Sequence, residues 1–151
     1  MSHTEDVLAL AFELRSLVLE LNAALAQCFH PLGLTCVQAE ALLALDTIQP
    51  ATLRQLAGHL VAESGHPSRL VSRLVERGLI ERAPSPDDGR AVLLSLTEQG
   101  QDLARRADEA RTPLIELVRE HHGADLDQAV RLLRSLRASF TSAGDWTREA
   151  R

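Results

Sequence analysis

The chain is 151 residues long, 45% apolar and 25% charged, a size and balance that suit one globular domain. Its 16 Lys plus Arg are outnumbered by 21 Asp plus Glu, for a formal charge of −5. That balance argues against a protein that coats nucleic acid over its whole surface, yet leaves room for a local basic face. The two cysteines, Cys28 and Cys36, are too few for a disulfide scaffold and are expected to rest as thiols.

Ala, Leu, Arg, Glu and Gln dominate and tyrosine is absent, so the expected class is mainly α. The opening residues carry no basic leader and no apolar run reaches membrane-spanning length, so a cytoplasmic location without a membrane partner is expected. From Glu5 to Gln27, Val7, Leu10, Leu14, Leu17 or Val18, Leu21 and Leu25 recur at helical steps. Leu8, Phe12 and Leu19 widen that stripe beyond what one small domain covers. His30-Pro31-Leu32-Gly33 breaks the helix.

Thr35-Cys36-Val37-Gln38 is a capping box that opens a second helix running through Leu45. Asp46 to Ala51 reads as a turn. Thr52-Leu53-Arg54-Gln55 is another capping box, opening a short third helix with Leu53, Leu56, Ala57 and Leu60 inward. After a break at Ala62 to Gly65, residues His66 to Arg77 split into two faces. Leu70, Val71, Leu74 and Val75 form one, while His66, Arg69, Ser72, Arg73 and Glu76 form the other. Gly78 stands where a left-handed helix end requires glycine.

Leu79 to Ala83 and Ala91 to Leu96 read as strands, reversed at the tight Asp88-Gly89 turn. Thr97 is expected to cap a long helix to about His121, interrupted by Pro113. Asp125 is expected to cap a last helix with Leu126, Val130, Leu133, Leu136 and Phe140 on one side. The tail from Ser142 lacks periodicity.

Two short helices followed by a hairpin make a helix-turn-helix with a wing, whose second helix is able to enter a DNA major groove. Leu34-Thr35-x-x-Gln38, Thr52-Leu53-x-x-Leu56-Ala57 and Ser68-Arg69-Leu70-Val71-x-Arg73-Leu74 lead into Gly78-Leu79-Ile80-x-Arg82. Asp88-Gly89-Arg90 is followed by Leu94-Ser95-Leu96-Thr97-Glu98-x-Gly100. This series resembles the MarR family of winged helix-turn-helix transcription regulators. The resemblance implies a single domain over 1–151, with dimerisation helices at 5–30 and 98–142 and a winged DNA-binding region at 35–97. It also implies a homodimer on a pseudo-palindromic double-stranded operator, with repression as the usual sign of regulation.

Carried over position by position, Ser64, His66, Ser68, Arg69 and Ser72 would face base edges and nearby phosphates. Arg73, Arg54 and Gln55 would contact the DNA backbone. Arg90 at the wing tip would enter the minor groove, which favours arginine, with Asp88 holding its guanidinium. The resemblance further implies a small phenolic or aromatic acid as effector. Arg15, the one cation inside the first helix, is the expected anchor, with Asn22 and His30 beside it. A competing role for Arg15 is an intersubunit salt bridge with Glu13, Glu20 or an acid of the fifth helix.

Some members of the family sense oxidants, and Cys36 at a helix start, with Cys28 before it, offers a thiol switch; two buried, inert thiols are the alternative. His30, Cys28, Glu20 and His121-His122 lack the spacing of a zinc site, so no metal is expected. No Gly-rich phosphate loop, Gly-x-Ser-x-Gly elbow, His-Glu-x-x-His helix or Cys-x-x-Cys pair occurs, so neither an enzyme nor a cofactor is expected. The rival from another class is a winged-helix protein-interaction module without DNA binding, which the acidic net charge favours.

Overall fold

The computed structural model describes residues 2–61 and 66–143. In chain order the elements are α1 (His3–Phe29), the 3-10 turn η1 (His30–Leu32), α2 (Cys36–Ile48), α3 (Leu53–Ala57) and α4 (Pro67–Glu76). A hairpin of β1 (Ile80–Pro84) and β2 (Val92–Leu96) follows, then α5 (Glu98–His122) and α6 (Leu126–Ser142). Contacts divide the chain into two compact units, 1–112 and 113–151.

Local chemistry sets most boundaries. Thr35 and Thr52 both form reciprocal capping boxes, with Gln38 and Gln55 reaching back to the cap amide. Helix α1 begins earlier than its apolar stripe suggests, because Ser2 and Glu5 form a third such box. Helix α2 runs one turn past Leu45, so Asp46 to Ile48 are helical rather than turn. Phe29, Leu34 and Gly33 close the first turn region: Gly33 N–H donates to His30 O, Leu34 N–H to Phe29 O, and Gly33 sits at φ 70°. The same left-handed motif ends α4, with Gly78 N–H on Val75 O and Leu79 N–H on Leu74 O.

Two expectations at helix ends fail. Asp125 occupies the cap position of α6 without a side-chain cap bond. Pro113 does not interrupt α5, which stays helical on both sides of it. Proline removes one backbone bond there, and Thr112 Oγ1 donates to Asp108 O in the preceding turn. Flanking pairs of Arg105 with Asp102 and Glu109, and of Arg111 with Asp108, link successive turns of the same helix.

The core lies in the first unit. Leu42, Leu45, Leu56 and Leu74 are fully buried, joined by Val71, Ile80, Leu94, Leu96 and the α5 residues Leu103, Ala104 and Ala107. At ~1.5–3 kcal/mol per large side chain, this cluster holds α2, α3, α4, the hairpin and the start of α5 together. Leu53, expected inward, lies at the exposed edge of α3.

The hairpin is antiparallel, with Ile80 opposite Leu96 and Arg82 opposite Leu94. Its base is pinned where Ala51 and Leu94 exchange backbone bonds and Gln49 Oε1 accepts from Leu96 N–H at 2.8 Å. Thr97 Oγ1 accepts from Gly100 N–H at 3.0 Å and donates to Gly78 O at 2.6 Å, tying the start of α5 to the end of α4. Gly100 is obligatory in that junction, since a Cβ there would stand 2.0 Å from Leu79 O. In the described part of the second unit, α6 buries no residue.

Candidate nucleic-acid interface

Helix α4 is sharply two-faced. Val71 and Leu74 are buried, while Ser68, Arg69 and Arg73 are exposed and Ser72 is half-buried. Pro67 opens the helix, where its missing N–H costs nothing. His66 is exposed at the cap position and makes no side-chain cap bond. Ser64 lies outside the described residues.

Two surface grooves flank this helix. One, about 300 Å³, is lined by Ser68, Arg69, Ser72, Arg73 and Glu76. The other, about 280 Å³, lies against the start of α2 and includes Thr35, Gln38, His66, Arg69 and Arg73. Arg69 and Arg73 line both grooves, so these two arginines are shared between them. Arg54 and Gln55 are exposed on α3. The Oε1 of Gln55 is committed to the cap of α3, which leaves its amide NH2 as the free donor.

The wing tip is built by local bonds. Ser85 Oγ accepts from the amides of Asp87 and Asp88, and Ser85 N–H donates to Ala91 O at 2.9 Å. Asp88 Oδ1 accepts from the backbone N–H of Arg90 at 3.1 Å. Asp88 therefore shapes the turn rather than gripping the Arg90 guanidinium, since an Asp side chain reaches the amide two residues on more readily than a mobile side-chain end.

The charges are distributed unevenly. Among the described residues, all five ion pairs lie on α5 or α6, where Arg105, Arg111, Arg119 and Arg131 face acids on their own helices. Hydrogen bonds that the Arg105 guanidinium donates to Asp102 and Glu109 hold it above its ordinary pKa. Arg54, Arg69, Arg73, Arg82 and Arg90 take part in none of these pairs. An acidic chain thus presents, along α3, α4 and the wing, guanidinium groups that have no ion-pair partner among the described residues.

Arg82 belongs to this surface and was not singled out from the sequence as a site residue. Its Nη2 donates to Ser72 Oγ at 3.0 Å, joining β1 to α4. The available signal was the strand period of two: counted from buried Ile80, Arg82 shares the face opposite Leu94.

The expected effector residues do not gather in one place. Arg15 lines a groove of about 440 Å³ with Leu8, Ala11, Phe12, Ser16 and Leu19. His30 lines a separate, mostly apolar cavity of about 830 Å³ at the α1–α2 turn, together with Ala26, Gln27, Pro31, Leu34 and Cys36. Fifteen residues of chain along α1 and η1 separate the two, about 22 Å at helical rise. One small acid does not span them in a single protomer. Asn22 contributes its backbone carbonyl, which accepts from the Cys36 thiol at 3.7 Å.

Cys28 and Cys36 are both free and half-buried against the core. Cys36 meets α1 at Asn22, whereas Cys28 lies six residues further on, about 240° around the helix at 100° per residue. Among the described residues, no group of three or more His, Cys, Asp or Glu is placed to hold a metal, and no helix is long and apolar enough to cross a membrane. The rings of His121 and His122 stand 6.3 Å apart at a 42° tilt.

A family model described as a winged helix DNA-binding domain matches residues 34–100. The organic hydroperoxide resistance transcriptional regulator of Bacillus subtilis (strain 168) is 34% identical over 97 residues, covering 64% of this chain and 65% of that protein. The chain thus spans less than two thirds of the length of the curated relatives it matches. Among solved structures, the MarR family transcription regulator SP03579 superposes with a TM-score of 0.77 at 24% identity, covering 95% of this chain and 97% of the other. The transcriptional repressor CouR, bound to a 23-mer DNA duplex, superposes with a TM-score of 0.75 at 24% identity, covering 91% and 98%. These two likenesses establish the fold.

Proposed function

We propose that the chain is a winged-helix protein of the MarR type, a sequence-specific DNA-binding transcription regulator acting as a homodimer. The observation that carries this reading is the set of arginines along α3, α4 and the wing that form no ion pair among the described residues, whereas Arg105, Arg111 and Arg119 of α5 each meet an acid on their own helix. Helix α4 enters the major groove, with Arg69 at base edges and His66, Ser68 and Ser72 beside it. Arg73, Arg54 and Gln55 hold phosphates, and Arg90 reaches the minor groove from a turn that Asp88 keeps in shape.

The dimer face is supported by what α1 and α6 leave uncovered: Leu8 is 65% exposed, Phe12 67%, Leu19 73% and Phe140 69%. An apolar surface of that kind marks an interface. Repression, released by a small anionic aromatic ligand, is the regulatory half of the reading. Its support is Arg15, which carries a charge without an ion pair among the described residues into a groove walled by Leu8, Phe12 and Leu19. Those walls are the proposed interface, so a ligand there acts by changing the separation of the two α4 helices.

The test is a fluorescence-anisotropy titration of operator duplex across a salt series. The logarithm of wild-type affinity falls linearly with the logarithm of salt concentration, and Arg90→Ala weakens binding and shallows that slope. Arg69→Ala costs about 1–3 kcal/mol per half-site and relaxes base preference. Wild-type behaviour from both variants contradicts the groove assignments. A wild-type chain that binds no duplex points instead to a protein-interaction module.

A further inference from the structure

The residue that closes α4 reaches far from its own helix. Arg77 follows Glu76 in the helical conformation, and Gly78 then turns the chain away. The Arg77 Nη1 donates to Gly33 O at 3.0 Å and to Gln38 Oε1 at 3.4 Å, 44 and 39 residues earlier. Its Nη2 lies 3.6 Å from the place a Cβ on Gly33 would occupy. The same Gln38 oxygen accepts from Thr35 N–H at 3.1 Å, so the cap of α2 and the end of α4 share one acceptor.

The packing around this contact gives it a task. Apolar burial of Val71 and Leu74 draws α4 onto the core, a force that is itself non-directional, and the Arg82 bond to Ser72 holds its middle. A planar guanidinium held by two acceptors is directional. The turn that supplies the acceptors has the 830 Å³ cavity on one side, and Thr35 lines both that cavity and the groove beside Arg69 and Arg73.

We infer that Arg77 is a positioning residue: it sets the angle at which α4 is offered to DNA by tying the helix's C-terminal end to the α1–α2 turn. The inference rests on the DNA-binding reading above. Two half-sites about one helical turn apart must be met at once, so any play at α4 enters twice in a dimer.

Arg77→Met keeps the length of the side chain and removes its donors, while Arg77→Lys keeps the charge without the fork. Each is compared with wild type on a site selected from random duplex, and on the same site with one base pair added or removed between half-sites. The expected result is an Arg77→Met protein with wild-type helicity whose affinity for the selected spacing falls about tenfold. Its preference over the altered spacings shrinks, and Arg77→Lys lies between. Amide hydrogen exchange in the free Arg77→Met protein speeds up at residues 33–38 and 74–79.

Wild-type affinity and spacing preference in Arg77→Met overturn the proposal, whatever the exchange shows. If wild type binds no duplex, the DNA-binding reading fails separately and positioning on DNA falls with it, while exchange still reports whether the clamp exists. If Arg77→Met does not fold, Gln38→Glu decides: it keeps the acceptors and adds a charge partner. Slower exchange over both segments then supports the clamp, and unchanged exchange overturns it.

Discussion

Helix α2 buries Ala39, Ala41, Leu42 and Leu45, whereas α6 buries nothing although Leu126, Val130, Leu133 and Phe140 repeat along it. Helix α1 resembles α6 over most of its length, and only Phe29, at its last position, is buried. The two kinds of helix carry the same apolar periodicity and differ in where its partner lies. In the winged region every stripe meets another within the chain, and capping boxes, a left-handed glycine and a glycine-only junction fix the geometry. On α6 the exposed Arg131 is met by Asp127 of the same helix, while the apolar sides of α1 and of α6 stay exposed. Periodicity reports that a face must be buried, not by which chain.

The comparison breaks most visibly at the unmet face. Leu8→Glu combined with Phe12→Glu removes about 2 kcal/mol of burial per side chain in each subunit and puts charge in its place. Sedimentation is expected to show a wild-type dimer at micromolar concentration and a variant whose self-association is weaker by more than about a thousandfold. A folded wild-type monomer at that concentration removes the distinction between the two kinds of helix.

Within the winged region the largest effect belongs to Gly100. Gly100→Ala drives a Cβ against Leu79 O and is expected to cost about 3 kcal/mol in urea unfolding, the upper range for overpacking. A loss below about 0.5 kcal/mol, the size of an ordinary surface change, contradicts the close junction of α5 with the end of α4. Thr35→Val removes a cap that keeps α2 in register and is expected to cost about 1 kcal/mol. Asp127→Asn breaks an exposed pair on α6 and is expected to cost less than about 0.5 kcal/mol by the same measurement. Together the three variants rank the devices: junction, cap, surface pair.

What was readable in the sequence follows the range of each interaction. The boxes at Thr35 and Thr52, the left-handed Gly78 and the hairpin were legible because each is written within a few residues. The box at Ser2 was equally local, but an N-terminus placed by its apolar stripe starts too late. Asp125 carries the right residue for a cap and makes no cap bond, which residue type alone does not reveal. The bonds from Arg82 to Ser72 and from Arg77 to Gly33 span 10 and 44 residues, and no local pattern announces them. Asp88 was expected to hold the Arg90 guanidinium, and its carboxylate instead accepts from the Arg90 amide, a backbone bond that residue type alone does not specify. Arg15 and His30 looked like one site until the rise of α1 separated them.

The central claim is that a complete winged unit, doubled through the unmet faces of the long helices, reads a two-fold symmetric DNA site. Selection from a random duplex pool, followed by sequencing of the bound fraction, tests it most directly. The account predicts enrichment of an inverted repeat with half-sites about one helical turn apart, and Arg69→Ala blurring the same base position in both halves. Failure to enrich any sequence, or enrichment of a single unrepeated half-site, contradicts it.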